Sequence, residues 1–304
     1  MLTAATHDGT FHADDVFAFA ILLAATGGAV TLSRSRHAAD WDAAQVVFDV
    51  GGRYDPAQGR YDHHMRERPL RANGEPYSSA GLIWRDYGQE AVARLLPGAE
   101  PAQVEGVWSR LDRGLLRDID LMDNGAMEPH PGHFSTLLES WNPTFAEAGS
   151  DENAAYRQAV AVAGAVLERG CAQAFAAIAA RDAVALAATQ AEDPRIIVLE
   201  TRLPWEDAVF ELALERALYV VRPAGKGWTV SAVPPALGSF AQRHPLPAAR
   251  GGLRDDELAA VCGVPDATFC HGALFVCGAH SRDGALALAR AALGGSESEP
   301  FHAR

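Results

Sequence analysis

The sequence predicts an α/β protein of two domains. Its 304 residues are enough for two ordinary hydrophobic cores. Short apolar runs alternate with helical patterns near the N-terminus, and strands alternating with helices imply a mostly parallel sheet covered by helices. A long helical stretch then gives way, after Asp193-Pro194, to a second series of short strands and helices.

Taken in order, 2–6 reads as a strand, an apolar run ending in polar residues. Asp14 or Asp15 opens an apolar helix, DDVFAFAILLAAT, that stops at Gly27-Gly28. The runs 29–33 and 45–50 read as a second and a third strand, the latter followed by Gly51-Gly52. Residues 54–61 read as a tight β-hairpin turning at 56–59. From about 78 to 190 the chain reads as mainly helical, and 101–123 carries Val104, Val107, Trp108, Leu111, Leu115 and Ile119 at helical spacing. Beyond lie strands at 195–200, 218–221, 228–233 and 273–277 and helices at 205–214, 255–261 and 284–292. The domain boundary is expected near residue 190, giving 1–190 and a smaller α/β domain, 191–304. The tail SESEPFHAR is expected to be disordered.

Composition narrows the function classes. A hydrophobic fraction of 48% and a charged fraction of 21% are ordinary for a soluble protein. The net charge of −13 excludes a nucleic-acid binder that works through its mean field, so any such contact needs a local patch or a metal. Cys171, Cys262, Cys270 and Cys277 form no C-x-x-C pair and read as buried thiols. No secretory signal is visible. No apolar run is expected to reach the ~18 residues of a membrane span, because Arg157, Glu168, Arg169, Arg181 and Asp182 interrupt the Ala-rich stretch 154–191. The expected location is the cytoplasm, with no membrane partner.

Four segments concentrate carboxylates and imidazoles. T-H-D-G-T-F-H-A-D-D supplies His7, His12 and Asp14 between the first strand and the first helix; V-V-F-D-V-G-G supplies Asp49 at the end of the third strand. R-Y-D-H-H supplies Asp62, His63 and His64, and D-I-D-L-M-D-N-G supplies Asp118, Asp120 and Asp123. In an open α/β sheet, loops at the carboxyl ends of strands form the ligand crevice. Carboxylates gathered there repel one another unless a cation sits between them. A His/Asp donor mixture suits Mn²⁺, and also Zn²⁺, Fe²⁺ or Co²⁺, better than Mg²⁺. Singly, Asp14 could be a helix cap, His7 a loop residue and Asp62 a hairpin residue. Together, H-x4-H-x-D, a strand-terminal Asp before Gly-Gly and D-H-H point to a metal site.

D-H-H, preceded by a His/Asp-rich loop and a strand-terminal Asp, resembles the DHH phosphoesterase superfamily, which includes RecJ-like exonucleases, oligoribonucleases and manganese-dependent pyrophosphatases. The chain is most similar to the melanocyte-proliferating-gene exonuclease family. THDGTFHADD, FDVGGRYDP, RYDHH, SSAGLIW, DNG, WNP, LPAARGGLRDDEL and FCHGALFVCG carry that resemblance over nearly the whole length. His12 stands where the superfamily usually has an Asp, a variant that the nearer family shares. The resemblance implies a DHH-type N-terminal domain and two divalent cations, with Mn²⁺ favoured. His7 and His12 would bind one metal and Asp14 the other, Asp49 would bridge them, and His63 and Asp123 would complete the second. His64 would face the phosphate, and Asp62 would orient His63. In such sites cations ~3.5–4 Å apart activate a water and clamp the phosphoryl oxygens, so Asp49, His64 and Asp62 are the catalytic candidates. The resemblance also makes Arg250 and Arg254 substrate contacts, with His271 reaching across a cleft.

Arg53, Arg60, Arg66, Arg68 and Arg71 surround the D-H-H loop and read equally as a phosphate-facing rim or as a solvated loop. The expected function is a Mn²⁺-dependent exonuclease on single-stranded RNA or short oligonucleotides, acting from the 3′ end. Substrate and polarity come from the resemblance alone. A small-molecule phosphohydrolase acting on pyrophosphate, a dinucleotide or a nucleotide is the alternative. A metal-stabilised scaffold would lack ligands, yet every expected position is filled. A homo-oligomer is compatible with all three.

Overall fold

A computed structural model describes residues 1–147 and 149–294, so the tail 296–304 lies outside the described residues. The chain divides into two compact units, Met1–Phe175 and Ala176–Arg304. The division falls inside one long helix, Glu152–Gln190.

The first unit holds strands β1 (Leu2–Thr6), β2 (Val30–Arg34), β3 (Val46–Phe48), β4 (Tyr54–Asp55) and β5 (Arg60–Tyr61) in the order β2-β1-β3-β5-β4. All pairings are parallel except β4 with β5, at one edge. The mixed α/β architecture expected from the sequence is thus present. Central strands of a covered sheet are apolar throughout rather than alternating, and β3 is buried at all three residues. Helix α1 (Ala13–Thr26) is also buried nearly all round, and it packs against α3 (Ser79–Leu95). Gly27 ends α1 in the left-handed conformation at φ 61°. A short helix the sequence did not signal, α2 (Ala38–Asp42), precedes β3.

Because β1, β3 and β5 run parallel, their carboxyl ends share one edge of the sheet. The residues that follow them are His7, Asp49 and Asp62-His63-His64. Asp49 itself adopts a left-handed φ of 57°, which aspartate tolerates better than most residues.

The predicted helix 101–123 is present but not uniform. Helix α4 (Pro101–Leu111) passes through a π-turn (Asp112–Leu116) into α5 (Arg117–Asp123). One extra residue in a turn shifts the helical register by about 100°. Leu116 is consequently buried and Leu115 only partly so. From Leu116, helical spacing turns Ile119, Asp120 and Asp123 inward. Helix α6 (Phe134–Glu139) follows, then α7 (Glu152–Gln190).

Contrary to the sequence expectation, α7 is long and apolar enough to cross a membrane by length and composition, with mean hydropathy 1.4 over its most apolar window. That value comes from its alanines. Within the first unit its buried residues Tyr156, Ala159, Val160, Ala163, Leu167 and Cys171 recur at helical spacing, the stripe of a helix packed on a protein core.

The second unit has its own sheet of β6 (Ile196–Val198), β7 (Tyr219–Ala224), β8 (Gly227–Ala232), β9 (Ala267–Cys270) and β10 (Val276–Ala279), ordered β6-β7-β8-β10-β9. Only β6 and β7 pair in parallel. Alternation along β7 serves two cores. Tyr219 and Val221 face α9 (Asp255–Cys262) and α10 (Arg282–Gly294). Val220 faces Trp205 and Val209 of the α8 region (Glu206–Glu211). The strand expected at 273–277 begins only at Val276, because 271–275 is the turn from β9, with Leu274 at φ 61°. All four cysteines are free.

Candidate metal centre

Burial sets the chemistry of this edge. Asp14 and Asp15 are fully buried, and His7, Asp49, Asp62 and His63 nearly so. The loop after β1 brings in His7, whose Nδ1 lies 3.0 Å from the Asp8 carbonyl and whose Nε2 lies 3.1 Å from Asp49 Oδ2. With Nδ1–H donated to that carbonyl, Nε2 keeps its lone pair for a metal. On the other side of Asp49, His63 Nε2 lies 3.2 Å from Oδ1, 3.2 Å from Asp123 Oδ2 and 3.6 Å from Asp14 Oδ2. Asp49 is thus placed between the two imidazoles, one oxygen toward each.

The start of α1 fixes the acidic pair. His12 is its exposed N-cap residue, and the His12 backbone N–H donates to Asp15 Oδ1 at 2.9 Å. Ser79, the first residue of α3, donates its backbone N–H to Asp14 Oδ2 at 3.3 Å, and its hydroxyl lies 3.0 Å from the Tyr61 carbonyl and 3.3 Å from Asp49 Oδ1. Asp14 Oδ1 and Asp15 Oδ2 are buried without any hydrogen-bond partner.

Without a cation this cluster cannot be fully ionised. Burial, then the charge of Asp49, pushes the Asp14 carboxyl up to about 7. Burial, then Asp14 and Asp49, pushes Asp123 up to about 10. Asp15 rises well above the carboxylate range through burial and Asp14. Asp49 goes the other way: burial would raise it, but hydrogen bonds from His63 and His7 hold it well below the usual range. Burial lowers the His7 pKa, yet its hydrogen bond to Asp49 and the charge of Asp15 outweigh that and hold it at about 9.

Orphaned carboxylate oxygens, and protons forced onto acids near neutral pH, are what a divalent cation relieves. Four groups have ligand atoms within 4.8 Å of one another: His7, His12 and Asp49; Asp49, His63 and His64; His12, Asp14 and Asp123; and Asp14, Asp15 and Asp49. All six sequence-derived metal candidates therefore converge, and the donor set fits a metal site. Two recesses reach it. One, of about 290 Å³, is lined by His7, Arg36, Asp49, Asp62 and His64; the other, of about 490 Å³, by His63, Arg66, Arg68 and Asp123, and His12 and His64 border both.

Two expectations are corrected. Asp62 was to orient the His63 ring. Its Oδ1 instead lies 2.7 Å from Nδ1 of His64, and its contact with His63 is the backbone N–H, also at 2.7 Å. The two-residue step from Asp62 to His64 lets the ring fold back on the carboxylate, while His63 points inward. The His64 side chain is 60% exposed, so its Nε2 is open to a ligand. Arg250, expected to contact substrate, is 4% exposed and donates from Nη1 to the Leu288 carbonyl at 3.0 Å. A guanidinium held inside the second core cannot reach a substrate. Arg254 and His271 are exposed on that unit; His271 Nδ1 accepts the Ala273 N–H.

The arginines around D-H-H separate. Arg66 and Arg68 border the larger recess. Arg53 pairs with Asp55, Arg60 binds backbone carbonyls, and Arg71 is held by Asp112 and Asp120. Sequence reasoning missed Asp15, Ser79 and Arg36. Asp15 had a signal, the capping-box position three residues after His12; Ser79 lay in the SSAGLIW motif without an assigned role.

A family model described as "Uncharacterised protein family (UPF0160)", MYG1_exonuc, matches residues 3–293. The MYG1 exonuclease of Mus musculus is 30% identical over 330 residues, spanning 95% of this chain and 84% of the relative. The MYG1 exonuclease of Homo sapiens is 32% identical over 320 residues, with 95% and 85% covered. The MYG1 protein of Dictyostelium discoideum is 30% identical over 315 residues, with 95% of each covered. Among solved structures, RecJ in complex with Mn²⁺ from Thermus thermophilus aligns at 17% identity and a TM-score of 0.29. That alignment covers 96% of this chain and about half, 51%, of RecJ.

Proposed function

This chain belongs to the MYG1 exonuclease family, and from that premise we propose that it is a two-metal phosphodiester hydrolase, a 3′–5′ exonuclease on single-stranded RNA or short oligonucleotides that works with Mn²⁺. The observation that carries the hydrolase reading is the convergence of His7, His12, Asp14, Asp49, His63 and Asp123 at one sheet edge, with Asp49 between two imidazoles. RNA and polarity rest on the family resemblance.

The chain's own residues divide the work. His7, His12 and Asp49 would hold one cation, and Asp14, Asp49, His63 and Asp123 the other, with Asp15 behind them at His7. When bound, the cations would supply Lewis-acid activation of a water and neutralise phosphoryl charge. Ser79 fixes Asp14 through its N–H, leaving Asp14 Oδ1 free, and its hydroxyl lies between the Tyr61 carbonyl and Asp49. Asp62 holds His64 through Nδ1 and raises its pKa, so in the imidazolium form Nε2–H can donate to a phosphoryl oxygen. Arg66 and Arg68 at one recess and Arg36 at the other supply guanidinium donors for further phosphate oxygens.

The net charge of −13 and the few basic residues at these recesses favour a second reading, a small phosphorylated substrate. The test is hydrolysis of a 5′-labelled short RNA by metal-depleted protein with Mn²⁺ restored, with pyrophosphate and a dinucleotide in parallel. A Mn²⁺-dependent ladder shortening from the 3′ end, absent in Asp49→Asn, supports the exonuclease. Turnover of the small substrates alone moves the protein to the second reading. No turnover with metal bound overturns both.

A further inference from the structure

The WNP motif at 141–143 has no part in the metal chemistry above. Its middle residue is a clamp. The Asn142 side chain accepts the Phe11 N–H at 3.0 Å and donates to the Phe11 carbonyl at 2.8 Å and the Glu139 carbonyl at 3.0 Å. Phe11 is fully buried and immediately precedes His12. At the other end of α6, the Phe134 ring packs edge-on against Phe17 of α1, with centroids 5.5 Å apart. Helix α6 therefore runs back along α1, from Phe17 toward Phe11, and delivers 141–143 at the end of α1 that carries Asp14. Trp141 stands there 38% exposed, and its indole has no hydrogen-bond, ring or cation partner among the described residues. The other five tryptophans are engaged. Trp41, Trp84 and Trp108 donate their indole N–H to backbone carbonyls, and Trp205 and Trp228 pack on the cores of the second unit. Phe145, 98% exposed, lies four residues beyond Trp141, on a turn closed by bonds from Thr144 to the Glu147 carboxylate.

We propose that Trp141 is a stacking platform for a nucleobase of the substrate strand, with Phe145 offering a ring to the neighbouring base; this inference rests on the nucleic-acid reading above. Trp141 and His12 are each one residue removed from the bonded pair Asn142–Phe11, so the indole and the metal edge are held to one another through a fixed backbone. A platform fixed before binding loses little freedom when a base settles on it. Stacking draws on the π-face that every base has and is tolerant of sequence. It also needs no positive charge, so it supplies strand affinity where a net charge of −13 opposes it. Pyrophosphate has no ring to stack, and Trp141 therefore favours a nucleotide chain over the small inorganic substrate.

The experiment compares the full-length parent, Trp141→Ala and Trp141→Phe on a short single-stranded oligoadenylate and on an abasic strand of the same length. Hydrolysis is measured with Mn²⁺. Binding is measured separately by fluorescence anisotropy of end-labelled strands with Ca²⁺ in place of Mn²⁺, a readout that needs no turnover. Trp141→Ala is expected to raise the KM and the Kd for oligoadenylate about 10-fold and to leave the Kd for the abasic strand as in the parent. Trp141→Phe keeps a ring and should recover most of the loss. The indole is exposed, so both variants should melt with the parent. An unchanged Kd for oligoadenylate in Trp141→Ala overturns the platform. So does an equal loss on the abasic strand, which would mean that Trp141 only supports the loop at Phe11. If the parent hydrolyses neither strand, base-dependent binding that Trp141→Ala loses keeps the platform and overturns the hydrolase reading alone. A parent that binds the two strands equally overturns the platform whether or not it hydrolyses them.

Discussion

His63 Nε2 lies 3.2 Å from Asp123 Oδ2, which joins the loop after β5 to the last residue of α5. The π-turn at Asp112–Leu116 makes this meeting geometrically available, because it turns Asp123 inward. Burial and the charges of Asp14 and Asp49 push the Asp123 carboxyl up to about 10, so at neutral pH without metal it is a neutral acid.

Asparagine is the near-isostere of that neutral acid. Asp123→Asn is therefore expected to leave the melting temperature of metal-depleted protein unchanged, while weakening Mn²⁺ binding. Partners that merely orient a ligand typically cost ~10–100-fold in affinity, and a direct ligand should exceed that. Calorimetric Mn²⁺ titration beside thermal unfolding separates the two effects. Unchanged Mn²⁺ affinity would remove Asp123 from the ligand set.

Asp49 combines a candidate ligand carboxylate with a strained backbone, φ 57°. Asn accepts that conformation, whereas Ala adds a penalty of about 1 kcal/mol. Asp49→Asn should therefore lose Mn²⁺-dependent hydrolysis and only the stability that the Asp49 charge gains from His63 and His7, and Asp49→Ala should be less stable again by the backbone penalty. Denaturant unfolding of both variants, alongside the hydrolysis assay, checks this. Equal stability of the two would mean that the strain at Asp49 is relieved by some other route.

Metal removal should make stability depend on pH with a defined sign. Asp14 and Asp123 have folded pKa values raised to about 7 and about 10, above their ordinary carboxyl values, and His7 is raised to about 9. A group raised in the folded state contributes stability below its unfolded pKa and loses it as pH rises through the folded one. The depressed carboxyl of Asp49 contributes above its ordinary value and is lost in acid. Metal-depleted protein should thus melt lower at pH 9 than at pH 6, and Mn²⁺ should narrow the gap. Melting curves across that range, with and without Mn²⁺, test it; a flat profile without metal would contradict the carboxyl crowding.

The candidate ligands were legible because their chemistry sits in contiguous motifs at strand ends, where topology alone brings them together. Asp15 was not singled out because a second acid beside Asp14 reads as helix capping. Arg250 was misplaced because an arginine in a Gly-rich segment looks solvent-exposed, and only tertiary packing shows its N–H turned toward Leu288. The π-turn left no mark either: Leu115 and Leu116 are equally apolar, so helical spacing chose the wrong one. The late start of β10 depends on Leu274 at positive φ, a conformation no propensity for leucine suggests.

Asp62 anchors His64 rather than the His63 ring. Asp62→Asn keeps one acceptor oxygen, for the backbone N–H groups of His63 and His64, loses the acceptor of the Gly52 N–H, and removes the charge that holds His64. Turnover should fall by about 10–100-fold with Mn²⁺ affinity nearly unchanged. Parallel kcat and calorimetric measurements decide; a matching collapse of metal affinity would return Asp62 to the support of a ligand.

Gly81 shows how closely the site is braced from behind. Its N–H donates to Asp120 Oδ1 at 3.1 Å, and a Cβ at this position would lie 2.2 Å from Asp120 Oδ2. The same carboxylate accepts from the backbone N–H and hydroxyl of Ser78 and from Arg71. It therefore ties the start of α3, which carries Ser79, to α5, which carries Asp123. Alanine at position 81 has no flexible neighbour to displace, since Asp120 is fully buried and held on several sides. Gly81→Ala must push the carboxylate off its donors and leave Arg71 or Ser78 unsatisfied, at a cost of about 2–4 kcal/mol. Because both helix ends shift, Mn²⁺ affinity should fall together with stability, although Gly81 touches no ligand. Unfolding and Mn²⁺ titration of Gly81→Ala would show the two losses moving together; a destabilised variant with full metal affinity would mean that Ser79 and Asp123 are positioned independently of Asp120.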